Sequence, residues 1–164
     1  MRFSLSQGDL NFMGEDDTID TATSCVFAVR SFEKGERIMK ARFYICRHCG
    51  NLIGMIHDSG VPIVCCGEEM EALIPNTVDA SGEKHLPVAV MEEGGILSVN
   101  VGSAEHPMLP QHWIQWIYVQ TENGGQRKIL HPGDKPCANF CIGDDKPVAV
   151  YAYCNLHGLW VTEL

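Results

Sequence analysis

The stretch PVAVYAYCNLHGLW, from Pro147 to Trp160, says the most about the fold of this 164-residue chain. Its first seven residues are β-branched, aromatic or small and contain no glycine, a composition typical of a strand. Comparable short runs lie at residues 86–91, 96–101, 113–120, 127–130 and 138–142, and turns with paired glycines follow the first and the third of them. Such a pattern, without a helical period, predicts an antiparallel β-sandwich or barrel. The only helix-like stretch is a short acidic patch at residues 68–73.

The composition argues against several classes of function. Twelve Lys and Arg residues are scattered among twenty-one Asp and Glu, and the formal net charge is −9. Nucleic acid is therefore not an expected partner, because binding its phosphates needs clustered cations. No apolar run approaches the roughly 20 residues that span a bilayer, and the N-terminus does not resemble a secretory signal. We expect a cytoplasmic protein with no membrane partner.

Four of the eight cysteines form a compact motif. Cys46 and Cys49 have the CxxC spacing and are followed by a glycine, and the adjacent pair Cys65 and Cys66 is followed by Gly67. Thiolates on tight turns of this kind bind one metal ion, and four sulfur ligands suit zinc or iron equally. The alternative is a pair of disulfides, which a reducing compartment and the strain of a vicinal bridge disfavour. His48 lies between two ligands and is expected to face solvent.

A second set of candidate ligands combines histidines with a cysteine. Cys154 and His157 have a chelating CxxH spacing, and His106 and His112 flank a turn, with His85 further upstream. Imidazole and thiolate together favour iron, copper or zinc. Five protein ligands exceed the four of a structural zinc site, which favours iron with one open position. The alternative is a β-sandwich with scattered histidines.

The remaining residues of interest have simpler interpretations. Cys137 and Cys141 fall on one side of a strand pattern and are expected to pack. His131 is expected in a turn, and the three tryptophans are expected in the core. Met39 has the character of an initiator, so residues 1–38 are interpreted as a translated leader, with a genuine N-terminal extension as the alternative.

The ligand motifs carry a resemblance to a known family. The segments Glu83-Lys84-His85, His106-Pro107-Met108, His112 and Cys154-Asn155-Leu156-His157-Gly158 look like the superoxide reductase signature. With the cysteine motif ahead of them, residues 40–164 resemble desulfoferrodoxin, the two-iron form of that family. No ligand position departs from the family pattern.

The resemblance implies a fold and a set of roles. Residues 39–76 would form a rubredoxin- or desulforedoxin-like domain, and residues 77–164 an immunoglobulin-like antiparallel β-sandwich. The sandwich would bind a catalytic iron through four equatorial histidines and an axial thiolate, with the opposite face open. Glu83 would be the carboxylate that can take the sixth position, and Lys84 the cation beside the open face. The ligands so implied are His85, His106, His112, His157 and Cys154 for this iron, and Cys46, Cys49, Cys65 and Cys66 for a second, rubredoxin-like iron.

The implied activity is the one-electron reduction of superoxide to hydrogen peroxide, in defence against oxidative stress. Rubredoxin is the implied electron donor, the four-cysteine iron an accessory relay, and a homodimer the implied assembly. Two other classes remain open from the residues themselves. One is an electron carrier without catalysis, and the other is a zinc-ribbon interaction module attached to a structural β-domain.

Overall fold

The computed structural model describes residues 39–77 and 82–164. They belong to one compact unit, Arg37–Leu164. The predicted leader, residues 1–38, lies outside the described residues, so the initiator role of Met39 stays a prediction. The division of the remaining chain near residues 76 and 77 stays a prediction as well.

The first described part of the chain consists of five short strands: β1 (Arg42–Ile45), β2 (Leu52–Met55), β3 (Val64–Cys65), β4 (Glu68–Glu69) and β5 (Glu71–Ala72). Strands β2, β1 and β5 form one antiparallel sheet in that order, and β3 pairs with β4. The helix expected at residues 68–73 is wrong. Pairing of this acidic patch with β1 and β3 outweighs the helical preference of its glutamates, because propensity is weak beside tertiary contacts.

The second part of the chain forms two antiparallel sheets. It begins with the short helix α1 (Gly82–His85), followed by β6 (Pro87–Glu92), β7 (Ile96–Val101), β8 (Ile114–Thr121), β9 (Gly125–Ile129), β10 (Cys137–Cys141), β11 (Pro147–Cys154) and β12 (Gly158–Glu163). The sheet orders are β10-β7-β6 and β12-β11-β8-β9. The predicted mainly β architecture, a small cysteine-bearing part followed by a sandwich, is confirmed. No helix among the described residues is long and apolar enough to cross a membrane.

Alternation along the strands builds two cores. On β11, Val150, Ala152 and Cys154 face the space between the two sheets, where residues of β7, β8 and β10 meet them. The intervening Tyr151 and Tyr153 lie on the other face, in a second cluster with Phe43 of β1 and Trp116 of β8. This is the period of two expected for a strand with both faces covered. The small cysteine-bearing part therefore packs on the outer face of the four-stranded sheet.

A register shift marks the end of the β8–β11 pairing. Tyr153 pairs with Trp116, but the next residue, Cys154, pairs with Ile114, so that Gln115 is left over as a bulge. Bulges bend a strand and re-aim the side chains beside them. This bulge lies where Cys154 ends β11.

The predictions for individual tryptophan, cysteine and histidine residues outside the ligand sets have mixed outcomes. Trp116 and Trp160 are buried, as expected of core residues, whereas Trp113 is half-buried. Cys137 is half-buried, but Cys141 is exposed, so the expectation that it packs is wrong. Strand β10 is an edge strand whose second face meets solvent at this end. His131 lies at the start of a turn. The backbone N–H of His131 donates a hydrogen bond to the Asp134 carboxylate, which closes this turn.

Ile117 and Ile129 provide a matched test of the sandwich core. They lie on adjacent strands, with Ile117 fully buried and Ile129 60% exposed. Ile117→Val should lower the free energy of unfolding by about 1 kcal/mol, because a buried methylene is lost. Ile129→Val should change it by less than about 0.5 kcal/mol. Denaturant titration with an unchanged m-value measures both, and equal effects would contradict the assigned core.

Candidate metal centres

Five of the predicted ligands meet at one end of the sandwich. His85 ends α1, His106 and His112 lie in the loop between β7 and β8, Cys154 ends β11, and His157 lies in the turn before β12. One nitrogen from each histidine and the sulfur of the cysteine all lie within 4.8 Å of one another. The fold thus brings together side chains from three separate segments of the chain.

The four imidazole rings are arranged as a square. Neighbouring ring centroids are 4.6–4.8 Å apart around the circuit His85, His106, His112, His157, and neighbouring planes are inclined by 76–84°. The centroids of His85 and His112, which are opposite corners, are 6.2 Å apart. Cys154 Sγ lies 3.6 Å from His157 Nδ1. The site is therefore a group of four imidazole nitrogens with a thiol beside them.

His106 shows directly that the site suits a metal ion. Its Nδ1 donates a hydrogen bond to the carbonyl of Pro107 at 2.6 Å, which leaves Nε2 as the nitrogen with a free lone pair. That Nε2 is buried and has no hydrogen-bond partner, and the same is true of Nε2 of His112. Buried polar atoms are nearly always satisfied. A metal ion would satisfy both.

Burial also disfavours the charged form of two of the imidazoles. Desolvation lowers the pKa of His106 to about 4. It lowers the pKa of His112 as well, with further contributions from the charges of His157, His85 and Lys84. Only a neutral imidazole has the lone pair that binds a metal. His106 is therefore in its metal-binding form at neutral pH.

His85 and His157 complete the square through direct contacts. His85 Nε2 lies 2.9 Å from His157 Nδ1, within hydrogen-bonding distance. A cation bound by both nitrogens would replace that hydrogen bond. The ring of His85 also stacks on the buried indole of Trp160, with centroids 4.8 Å apart and planes inclined by 20°.

Cys154 is fully buried at the end of β11. Burial raises the pKa of its thiol, and the backbone N–H groups of His157 and Leu156 act in the opposite direction by hydrogen bonding to the sulfur. The positive charge of a bound metal would favour the thiolate strongly. The turn after β11 therefore supplies two backbone N–H groups that stabilise the Cys154 thiolate once a cation binds it.

Glu83 and Lys84 lie on α1, immediately before His85, and both are exposed. Lys84 directly precedes the ligand candidate His85, and its charge contributes to the lowered pKa of His112. The helix is held by the following loop, where Ala104 N donates to Glu83 O at 2.9 Å. Gly102 allows this approach: its φ is +84°, and a Cβ there would lie 2.7 Å from Lys84 O.

The other four predicted ligands form the second cluster. Cys46, Cys49, Cys65 and Cys66 offer sulfurs within 4.8 Å of one another, and the cysteines among the described residues form no disulfide. The vicinal pair fits because Cys66 adopts a left-handed conformation, φ 53°, and Gly67 follows at 85°. His48 is exposed, as predicted.

Hydrogen bonding distinguishes the four thiols. The backbone N–H of Cys49 is the largest influence that lowers the pKa of Cys46, to about 7. Hydrogen bonds with Cys49 and then Cys65 raise the pKa of Cys66 to about 12. Cys46 therefore ionises more readily than Cys66, and a cation is required to make all four thiolates at neutral pH.

Some contacts around the centres were not predicted from the sequence. Trp160 was expected to be core, and it is, but it also stacks on His85. The carbonyl that orients His106 belongs to Pro107, in the segment His106-Pro107-Met108, whose sequence gives no signal of that role. Asn155 is a spacer residue of the CxxH motif, and its side-chain hydrogen bonds to Trp113 and Gln111 were not predicted either.

The fold and these two clusters define a class: an antiparallel β-sandwich protein with one four-thiol and one four-imidazole, one-thiol metal-binding cluster. A protein-family model described as Desulfoferrodoxin matches residues 77–163. The desulfoferrodoxin of Nitratidesulfovibrio vulgaris is 47% identical over 120 residues, which cover 73% of this chain and 94% of that protein. The chain belongs to the desulfoferrodoxin family.

Proteins named superoxide reductase are also similar to this chain. That of Pyrococcus horikoshii is 39% identical over 104 residues, covering 52% of this chain and 90% of the relative. The crystal structure of the superoxide reductase from Treponema pallidum superposes with a TM-score of 0.65 at 36% identity, covering 76% of this chain and all of that one.

Removal of one thiol tests the two clusters as separate metal sites. Cys49→Ser should weaken metal binding at the four-thiol cluster and leave binding at the five-ligand cluster unchanged, because a hydroxyl is a poor ligand for a thiolate site. Cys141→Ser is the matched control, since this exposed thiol lies outside both clusters. Metal analysis after gel filtration with a mild chelator measures the content. Equal metal loss in both variants would contradict the assignment.

Proposed function

We propose that this protein is a superoxide reductase, which converts superoxide, one electron and two protons into hydrogen peroxide. The observation that carries the proposal is the square of four imidazoles with a buried thiol beside it. Membership of the desulfoferrodoxin family and similarity to proteins named superoxide reductase support it.

The proposed cofactor of the sandwich is a single iron ion. Its ligands are His85, His106, His112, Cys154 and His157, whose donor atoms are already gathered. Mixed imidazole and thiolate donors suit iron, and five of them exceed the four of structural zinc. When bound in the ferrous state, the ion supplies the electron that reduces superoxide. Five protein donors would leave one position of a six-coordinate ion for the substrate.

Cys154 has a specific part in this proposal. As a thiolate it donates electron density to the ion, as the thiolate ligand does in the haem of P450 enzymes. Its burial excludes water from the sulfur, and the N–H groups of Leu156 and His157 stabilise the charge. The strand β11 and the turn after it thus keep an anionic ligand in place inside the fold.

Lys84 is proposed to attract the substrate anion. The net charge of −9 repels superoxide, but charges more than about 8 Å away are largely screened at physiological salt. An exposed ammonium group next to the cluster therefore dominates the local field. Lys84 also serves as a donor for a proton, directly or through water, while Glu83 is proposed as the carboxylate that takes the open position in the oxidised resting state.

The four cysteines are proposed to bind a second iron that passes electrons to the catalytic one. Rubredoxin is the proposed donor, the proposed assembly is a homodimer, and the proposed location is the cytoplasm. The outer strands of both sheets, including the wholly exposed β9, leave backbone edges that a second copy can meet.

Lys84→Ala tests the proposal. The second-order rate of superoxide consumption by the reduced, iron-loaded protein should fall roughly tenfold, because local steering of the anion is lost, while iron content stays the same. Lys128→Ala is the control, since it removes an exposed lysine from β9 and should leave the rate unchanged. Pulse radiolysis measures the rate.

The same samples separate the alternative functions. Zinc without iron in the purified protein favours an interaction module, and two irons without superoxide consumption favour an electron carrier. Either result would overturn the proposed activity. Equal rates for wild type and Lys84→Ala would remove only the role given to Lys84.

A further inference from the structure

Asn155 connects two of the loops that carry candidate ligands. Its side-chain Oδ1 accepts a hydrogen bond from Trp113 N at 2.9 Å, and its Nδ2 donates to Gln111 O at 3.0 Å. Its own backbone N–H donates to Trp113 O at 3.2 Å. Gln111 and Trp113 are the two neighbours of His112, so Asn155 holds the backbone on both sides of that ligand.

His112 lies in a turn outside the regular strands, where Leu109 and His112 exchange backbone hydrogen bonds of 2.9 Å in an isolated bridge. Gly133 N also holds this turn by donating to Met108 O at 2.8 Å, but that contact lies four residues before His112. Asn155, in contrast, contacts the residues directly on either side of His112. The buried Nε2 of His112 has to meet the other donors within 4.8 Å.

Asn155 itself has a firmly determined position. It follows Cys154, whose backbone pairs with Ile114 on one side and Gly158 on the other. It also precedes His157 by two residues, inside the same turn. The hydrogen bonds from Asn155 to the neighbours of His112 therefore fix His112 relative to Cys154 and His157.

We propose that Asn155 is a positioning residue of the five-ligand centre, whose side-chain amide sets the placement of His112 relative to Cys154 and His157. The inference deepens the proposed function and rests on iron occupying this centre. The amide is suited to the task because it offers an acceptor and a donor from one rigid, planar group. Small displacements of a ligand are costly, since metal centres depend on the groups that orient their ligands.

Asn155→Ala in the full iron-loaded chain tests the inference. Without the amide, His112 should be released from its position, and iron should leave the five-ligand centre to a ferrous chelator at least tenfold faster, in the range known for lost orienting groups. The thiolate-to-iron absorption of that centre should shift. The four-cysteine iron is an internal reference in the same molecule, and its absorption and release rate should not change.

Two further variants exclude a general effect on folding. Gln111→Ala keeps the carbonyl that Asn155 contacts and removes only an exposed side chain, so it should release iron at the wild-type rate. Asn155→Asp keeps the acceptor for Trp113 N and loses the donor to Gln111 O, so its release rate should lie between those of wild type and Asn155→Ala. If Asn155→Ala does not fold, as judged by loss of the four-cysteine absorption, Asn155→Asp against Gln111→Ala decides the question.

Wild-type release rates and an unshifted absorption in both Asn155 variants would overturn the inference. Loss of both irons together in Asn155→Asp would also overturn it, because it would show a structural role alone. These results differ from failure of the proposed function, in which the wild-type protein binds no iron at the five-ligand centre or consumes no superoxide.

Discussion

The structure depends on one electrostatic constraint: four imidazoles and a thiol are crowded into a site from which water is largely excluded. Burial lowers the pKa of His106 and His112 and raises the pKa of Cys154, so it disfavours the charged forms of these three groups. Two of the imidazole nitrogens, Nε2 of His106 and Nε2 of His112, remain buried without partners. Such an arrangement is unfavourable for the protein alone and favourable around a cation, which accepts all five donors together.

The strands explain how the donors reach the site. The alternation along β11 turns Val150, Ala152 and Cys154 toward the space between the sheets, and the bulge opposite Cys154 lets the strand end there. On the other face of the same strand, Tyr153 stacks on Trp116, which in turn contacts Phe43. Phe43 lies three residues before Cys46, so this aromatic packing fixes the four-thiol cluster on the sandwich that carries the other cluster.

Much of this arrangement could be predicted from the sequence because it is encoded locally. The CxxC and CxxH spacings and the strand at residues 96–101 follow from neighbouring residues, and the sheets form as expected. What failed depended on distant contacts. The glutamates at 68–73 favour a helix until β1 and β3 pair with them, and the exposure of Cys141 follows from its edge strand. The contacts of Asn155 and Trp160 to ligand-bearing segments exist only once the strands are in register.

The most direct test of the account is the product stoichiometry of the reduced, iron-loaded protein when it consumes superoxide. A reductase with one open position, supplied with electrons from outside, should form one hydrogen peroxide for each superoxide and release no dioxygen. Simultaneous measurement of peroxide and dioxygen decides this. Half that yield of peroxide, accompanied by dioxygen, would show dismutation and would contradict the central claim.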